Sequence, residues 1–247
     1  AVDKKETWVW ETSPYLLGNE LQKKLPEILT FTRINPFYGA AHFNVKGEFT
    51  KETGCAYVDS SWFSFFHYDF IKGRAVDFNN HPFSMVLTES KSKKYFGNED
   101  PLGKTIRIDT IDYEIKGVVK DNPPNSSFQF DVLVPISAYF SNPGNKKNDE
   151  SWGNFNYLTF IKTLPAASMK ELPAKITGII KEKKEDNDIR LGLVPIRDMH
   201  FQRDLQTSRF EHSNKKVVLI FAVLGILLLL IACINYVNLS TARASLR

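Results

Sequence analysis

Over 217–237 the chain reads VVLIFAVLGILLLLIACINYV, an uncharged run, whereas the residues before it mix apolar and polar positions at short periods. At about 1.5 Å per residue a helix of that length spans about 30 Å, the hydrocarbon thickness of a bilayer. A core helix of a water-soluble domain keeps one polar face, and 217–234 has none. The pattern predicts a transmembrane helix. A secretory signal is excluded by position, because such segments lie at the N-terminus.

Ahead of that helix the period shifts between 2 and 3.6. Ser13-Pro14 followed by Leu16, Leu17, Leu21 and Leu25 predicts an amphipathic helix, with Ser13 as N-cap and Pro14 at its first position, stopped by Pro26. Alternation predicts a half-buried strand over 28–34, and 55–58, 85–88, 128–134, 157–162 and 189–196 also read as strands. Two hairpins are expected, one over 42–49 turning at Lys46-Gly47 and one joining 104–109 to 113–120. Asp59-Ser60-Ser61 signals the start of a short aromatic helix over 62–66, and 70–73 leads to a charged turn at Gly73-Arg74. A helix over 89–96 stops at Gly97. Another over 168–184 gathers Met169, Leu172, Ile176, Ile179 and Ile180 on one face, despite Pro173 near its start. The loops read as 122–127 and 141–151 (SNPGNKKNDES). Strands and helices mix without strict alternation or internal repeat, so the class is α+β.

Charge narrows the partners. The chain carries a net +4, of which Arg243 and Arg247 beyond the apolar run supply two, leaving about +2 with acids and bases interspersed. No strong basic face for nucleic acid results. Cys233 lies inside the apolar run, so Cys55 is a lone thiol and no disulfide framework is expected. The chain opens at Ala1 without an initiator methionine and stops soon after the apolar helix, which reads as a piece of a longer polypeptide.

No catalytic constellation emerges. Gly103-Lys104-Thr105 resembles the end of a phosphate-binding loop, but Gly97 stands one position too far upstream and a strand rather than a helix follows. His42, His67, His81, His200 and His212 show no metal spacing, and Asp198-Met199-His200 is the nearest to a ligand cluster. Ser60-Ser61 reads as a helix cap rather than a nucleophile, and Asn125-Ser126-Ser127 matches the glycosylation triplet. The aromatics over 62–70 are expected to pack in the core, and would form a contact surface only if exposed. We therefore expect no catalytic, cofactor-binding or metal-binding residues, and no enzyme activity.

Three stretches together resemble one family. They are 57–66 (YVDSSWFSFF) with 70–74 (FIKGR), then 86–90 (VLTES) with 95–104 (YFGNEDPLGK) and 117–121 (GVVKD), and last 232–243 (ACINYVNLSTAR). They resemble the periplasmic core domain of MacB-like ABC transporter permeases, in the form common in Bacteroidetes, running into the FtsX-like permease domain. The resemblance covers nearly the whole chain. It implies a two-lobed periplasmic domain over 1–208: a discontinuous porter-like lobe of about 1–85 and 157–205, and an inserted lobe of about 86–156. Family permeases carry four transmembrane helices with this domain between the first and second, so 217–237 would be the second, running from periplasm to cytoplasm. The implied location is the bacterial inner membrane, with 1–215 in the periplasm. The implied partners are a cytoplasmic ABC ATPase, fused or separate, a second permease copy forming a dimer, and a periplasmic adaptor or substrate. ATP hydrolysis on the partner would drive movement of the periplasmic domain, for export or for lipoprotein or peptide handling.

Two departures stand beside this. The family's first helix and the strand after it are not recognisable before Trp8, and the later helices and nucleotide-binding domain are not in this chain. Lys215-Lys216 on one side of the apolar run also balance Arg243 and Arg247 on the other, although long translocated domains escape the positive-inside rule. The alternative reading is a membrane-anchored sensor or binding ectodomain of a signalling protein, and a soluble hydrolase with a hydrophobic tail has no supporting site. Asn235, Asn238, Ser240 and Thr241 at the far end of the run suit a helix packed among others, where polar side chains find partners.

Overall fold

A computed structural model describes residues 7–184, 188–202, 205, 206, 208, 210 and 212–245. It divides into two units, one of 10–193 and one that joins the segment ending at Val9 to the chain from Val194 onward.

The larger unit is built on one sheet. Its strands are β1 (Ser13–Pro14), β2 (Ile28–Pro36), β3 (Ala41–Val45), β4 (Glu48–Glu52), β5 (Cys55–Val58), β6 (Phe70–Gly73), β7 (Ser84–Thr88), β8 (Thr105–Ile108), β9 (Ile111–Val119), β10 (Val132–Pro135) and β11 (Phe155–Thr163). Their spatial order is β1-β11-β2-β5-β10-β7-β9-β8-β3-β4, with β6 also paired to β9. The pairs β5–β10 and β7–β9 are parallel, and the other pairs are antiparallel. The central strands β7 (SMVLT) and β10 (VLVP) are buried at every position, which is why they read as continuous apolar runs rather than alternations.

The helices of this unit are α1 (Leu17–Lys24), α2 (Trp62–Phe65), α3 (Ala75–Asn79), α4 (Glu89–Phe96), α5 (Ile136–Tyr139), α6 (Pro143–Asp149) and α7 (Leu172–Lys184). Two apolar cores stand out among the described residues. One joins Leu17, Leu21 and Leu25 with Leu172, Ile176 and Ile179, so α1 and α7 pack together although far apart in the chain. The other joins Phe43 and Val45 with Met85, Leu87, Ile106, Ile115 and Val134. The β3–β4 hairpin therefore shares its core with the 85–138 region.

Both hairpins form where alternation placed them. Lys46 and Gly47 have φ of 54° and 90°, the pair of positive values that a tight two-residue hairpin turn demands. The helix α4 matches its expected limits. Thr88 accepts a hydrogen bond from the Lys91 amide at its start, and Gly97 ends it at φ 58°.

Four expectations are corrected. Ser13 does not cap α1, which starts at Leu17. Its hydroxyl instead donates to the Tyr157 carbonyl at 3.2 Å and lies 2.7 Å from Thr159 Oγ1, so Ser13-Pro14 becomes an edge strand on β11. The stretch 141–151 is not all loop: Asn142 accepts from the Gly144 amide at 2.9 Å, Pro143 opens the helix, and α6 forms. The residues 189–196 form no strand. The Leu191 amide and carbonyl pair instead with Thr177 Oγ1 at 2.9 and 3.2 Å, and Leu191 and Leu193 pack on the α1–α7 core. The strand expected over 128–134 shortens to β10.

In the smaller unit a 3-10 helix (Ile196–Phe201) precedes α8 (Lys215–Ser245). Within Lys215–Ala242 the most apolar 18-residue window of this helix has a mean hydropathy of 3.4, and none of that window is buried. Among the described residues nothing covers that window.

Candidate functional site

The aromatic helix α2 is packing. Trp62 is fully buried, with ring centroids 4.6 Å from Phe66, 5.6 Å from Phe128 and 6.3 Å from Phe160. Phe66 and Phe128 close on Phe160 at 5.3 and 5.5 Å, and Phe63 meets Phe78 at 5.1 Å. Edge-to-face contacts of this kind add to the area that the rings bury.

Beside this cluster β2 is locked to the start of α2 by charge. Arg33 Nε donates to Asp59 Oδ2 at 2.7 Å and Nη2 to Oδ1 at 2.9 Å, a bidentate pair whose side chains are 5% and 12% exposed. The Arg33 amide also donates to Asp59 Oδ2, and the Asp59 amide to the Arg33 carbonyl. Nη1 donates to the Tyr15 carbonyl, and the guanidinium carbon lies 3.7 Å from the Tyr15 ring centroid. One side chain thus ties together the segment before α1, β2 and the β5–α2 turn.

A second ionic cluster pins the sheet edge. Glu52, at the end of the edge strand β4, is buried and accepts from Lys91 at 2.8 Å and from Lys94 at 2.5 Å, both on α4. Burial alone would raise its pKa, but the two ammonium groups hold it at about 2. A carboxylate with a lowered folded pKa stabilises above its unfolded pKa, and that stability is lost as pH falls toward the folded value. Substituting Glu52→Gln is expected to cost about 3 kcal/mol at neutral pH, with the wild-type and variant stabilities converging between pH about 4.5 and 2. Urea unfolding at stepped pH measures this, and parallel pH curves would refute it.

Asp149 shows the opposite balance. It is 1% exposed, accepts hydrogen bonds from the Tyr157 hydroxyl and from Asn154 Nδ2 at 2.5 Å, and burial pushes its pKa up. It anchors the end of α6 onto β11. Burial also raises the Cys55 thiol to about 12, so it is not a nucleophile at neutral pH.

The motifs singled out in the sequence take structural places. Gly103 has φ 75°, its amide donates to the Ile115 carbonyl at 2.9 Å, and Lys104 pairs with Glu99, so Gly103-Lys104-Thr105 is the turn into β8. The Ser61 hydroxyl donates to the Phe31 carbonyl at 2.9 Å. The Ser126 hydroxyl accepts from the Phe128 amide at 3.1 Å. Asp198-Met199-His200 lies in the 3-10 helix, and the His200 carbonyl accepts from the Ser213 amide at 2.8 Å. His42 faces Asp109 at 3.4 Å and His67 faces Asp69 at 3.1 Å. Among the described residues no three His, Cys, Asp or Glu side chains group as metal ligands. A shallow open depression of about 250 Å³ is lined by His81, Phe83, Thr105, Asp112 and Glu114. Its carboxylates are already paired, Asp112 with Arg107 at 2.7 Å and Glu114 with Lys116 at 2.6 Å.

Two buried ion pairs escaped the sequence reading. The one local signal was Arg33 itself, a charge inside the otherwise apolar and threonine-rich run ILTFTRI. Its partner lies 26 residues away, and nothing local marks it.

The comparisons agree on one architecture. The model of the MacB-like periplasmic core domain family matches residues 8–179. No curated protein matches the sequence. Among solved structures, one described as a permease-protein domain from Porphyromonas gingivalis is 22% identical, with a TM-score of 0.61, covering 75% of this chain and 76% of that one. The periplasmic region of MacB from Actinobacillus actinomycetemcomitans is 17% identical, with a TM-score of 0.54 and coverages of 75% and 79%. The extracellular domain of the noncanonic ABC-type transporter YknZ from Gram-positive bacteria is 17% identical, with a TM-score of 0.52 and coverages of 72% and 87%. At these identities the structural likeness speaks for the fold.

Proposed function

Because the chain belongs to the MacB-like periplasmic core domain family, we propose that it couples ATP hydrolysis on a cytoplasmic partner to movement of its periplasmic domain, for export or for lipoprotein or peptide handling. The chain is the periplasmic domain of a MacB/FtsX-like ABC transporter permease with a candidate membrane helix, and membership implies an ATPase partner and dimerisation in general. The observation that carries the proposal is the family match over 8–179 in the same chain as α8, whose run 217–237 carries no charge. In this reading 1–215 lie in the periplasm, α8 crosses the inner membrane toward the cytoplasm, and the chain itself holds no catalytic, cofactor or metal site. The ATPase is fused or separate, and a periplasmic adaptor or substrate engages the domain.

We divide the domain into a porter-like lobe of about 1–85 and 157–205 and an inserted lobe of about 86–156. The core of Leu17, Leu21, Leu25, Leu172, Ile176 and Ile179 lies wholly in the porter-like lobe and supports that division. The other core also draws Phe43, Val45, Cys55 and Met85 across it. A single sheet running through both cores suits a body that moves as one piece, since backbone hydrogen bonds join every neighbouring strand.

The test uses the full-length permease with its ATPase in nanodiscs, spin-labelled at Lys147→Cys on both copies with Cys233→Ser. The distance distribution is expected to shift when ATP and vanadate trap the closed ATPase. An unchanged distribution during ATP hydrolysis would overturn the coupling. A shift driven by a periplasmic ligand, with none from ATP, would favour the sensor reading.

A further inference from the structure

The smaller unit carries an apolar surface that this reading leaves unused. Asn214 caps α8, accepting from the Lys216 amide at its side chain and from the Val218 amide at its carbonyl, each at 3.0 Å. Just before it, the Ser213 amide donates to the His200 carbonyl at 2.8 Å, and His212 Nδ1 lies 2.9 Å from the Met199 carbonyl. The 3-10 helix Ile196–Phe201 is thereby bonded to the start of α8, with Met199 and Phe210 buried. A second tie brings in the segment 7–9. The Gln206 amide donates to the Val9 carbonyl at 3.2 Å, Gln206 Nε2 donates to the Thr7 carbonyl at 3.3 Å, and Gln206 Oε1 accepts from the Val9 amide.

This bonded unit leaves large apolar side chains in solvent. Trp8 is 64% exposed, Ile196 54%, Val194 45% and Val9 37%. Distance restricts what can cover them. An extended residue covers at most about 3.5 Å and a 3-10 helix rises about 2 Å per residue, so the His200–Ser213 bond holds Ile196 within roughly 20 Å of the first turn of α8. Lys215 and Lys216 mark the level where the span leaves the hydrocarbon, because ammonium groups stay among the headgroups. That interfacial layer favours tryptophan, whose ring pairs an apolar body with a polar N–H. Seating there removes the apolar side chains from water while backbone groups remain hydrated.

We propose that Trp8, Val9, Val194 and Ile196 form a lipid-facing foot seated on the headgroup layer of the bilayer that α8 crosses. The proposal rests on α8 being a membrane span. The 3-10 helix that carries Ile196 is joined to the start of that span by the His200–Ser213 bond, and the two lysines at its root complement anionic headgroups.

The test uses the full chain in vesicles of phosphatidylethanolamine and phosphatidylglycerol, labelled at single cysteines with an environment-sensitive fluorophore. Cys55 is buried, so the wild type labels at Cys233 in α8 and reports insertion. The foot is read from Ile196→Cys and, separately, Trp8→Cys, each with Cys233→Ser. We expect lipids carrying a nitroxide just below the headgroup to quench both foot labels by at least about twofold, with shielding from aqueous iodide. Labels open to iodide and untouched by the nitroxide lipid would overturn the proposal. So would labels shielded from both quenchers, since a protein partner or second copy would then cover the surface. A Cys233 label that lipid nitroxides do not quench would overturn the membrane-span reading itself, a result separable from failure of the foot.

Discussion

Substituting Gly73→Ala is expected to cost the domain about 3 kcal/mol, because a Cβ there meets the closest contact found at any glycine of the chain. Gly73 ends β6 with φ of +69°, where a side chain is strained in any surroundings. The surroundings are worse. A Cβ at this position would stand 2.0 Å from the Lys116 carbonyl oxygen and 2.9 Å from the Gly117 Cα, both of them backbone. Gly73 pairs with Gly117 in the β6–β9 ladder, so the two strands meet at glycine on both sides. Relief requires parting β6 from β9. The control is Gly178→Ala, on an exposed position of α7 with open space around it, which should stabilise by about 0.5–1 kcal/mol through helix propensity. Chemical unfolding followed by tryptophan fluorescence compares the two. A loss at Gly73 no greater than about 1 kcal/mol would show that β6 is not anchored as described.

The Arg33→Met variant is expected to lose about 3–5 kcal/mol, because it strands the Asp59 carboxylate at 12% exposure without its cation. Its hydrogen bond to the Tyr15 carbonyl and its stacking on the Tyr15 ring go as well. The double variant Arg33→Met with Asp59→Leu should recover much of the loss, since removing both charges also removes the cost of burying either. A double-mutant cycle in urea gives the coupling directly. Additive losses would mean that the pair is not the joint between β2 and α2.

Local pattern was enough where the structural reason is local. The hairpin at Lys46-Gly47 needs two positive φ values, and α4 needs only Thr88 to open it and Gly97 to close it. Each of those conditions is met within a few residues. It was insufficient where a residue had two uses. Ser13-Pro14 could start a helix or edge a sheet, and the Tyr157 carbonyl with the Thr159 hydroxyl decided for the sheet. The alternation at 189–196 looks like a strand, but a strand needs a neighbour, and Thr177 took the backbone groups of Leu191 instead. The run 141–151 looked too polar for a helix because its purpose is anchorage rather than an apolar stripe: Asp149 at its end buries itself against Tyr157.

By itself the sequence determined that this is an α+β domain followed by a charge-free helix, and the three motif stretches were enough to indicate the family. Those properties rest on periodicity, turn chemistry and length, all of which act over a few residues. Only the tertiary structure decided which strands neighbour one another, that the β3–β4 hairpin joins the core of 85–138, and that Arg33 meets Asp59 while Glu52 meets Lys91. It also decided that Trp62 is buried whereas Trp8 is exposed. Desolvation and pairing of this kind depend on chain brought together over tens of residues, and no local period encodes them.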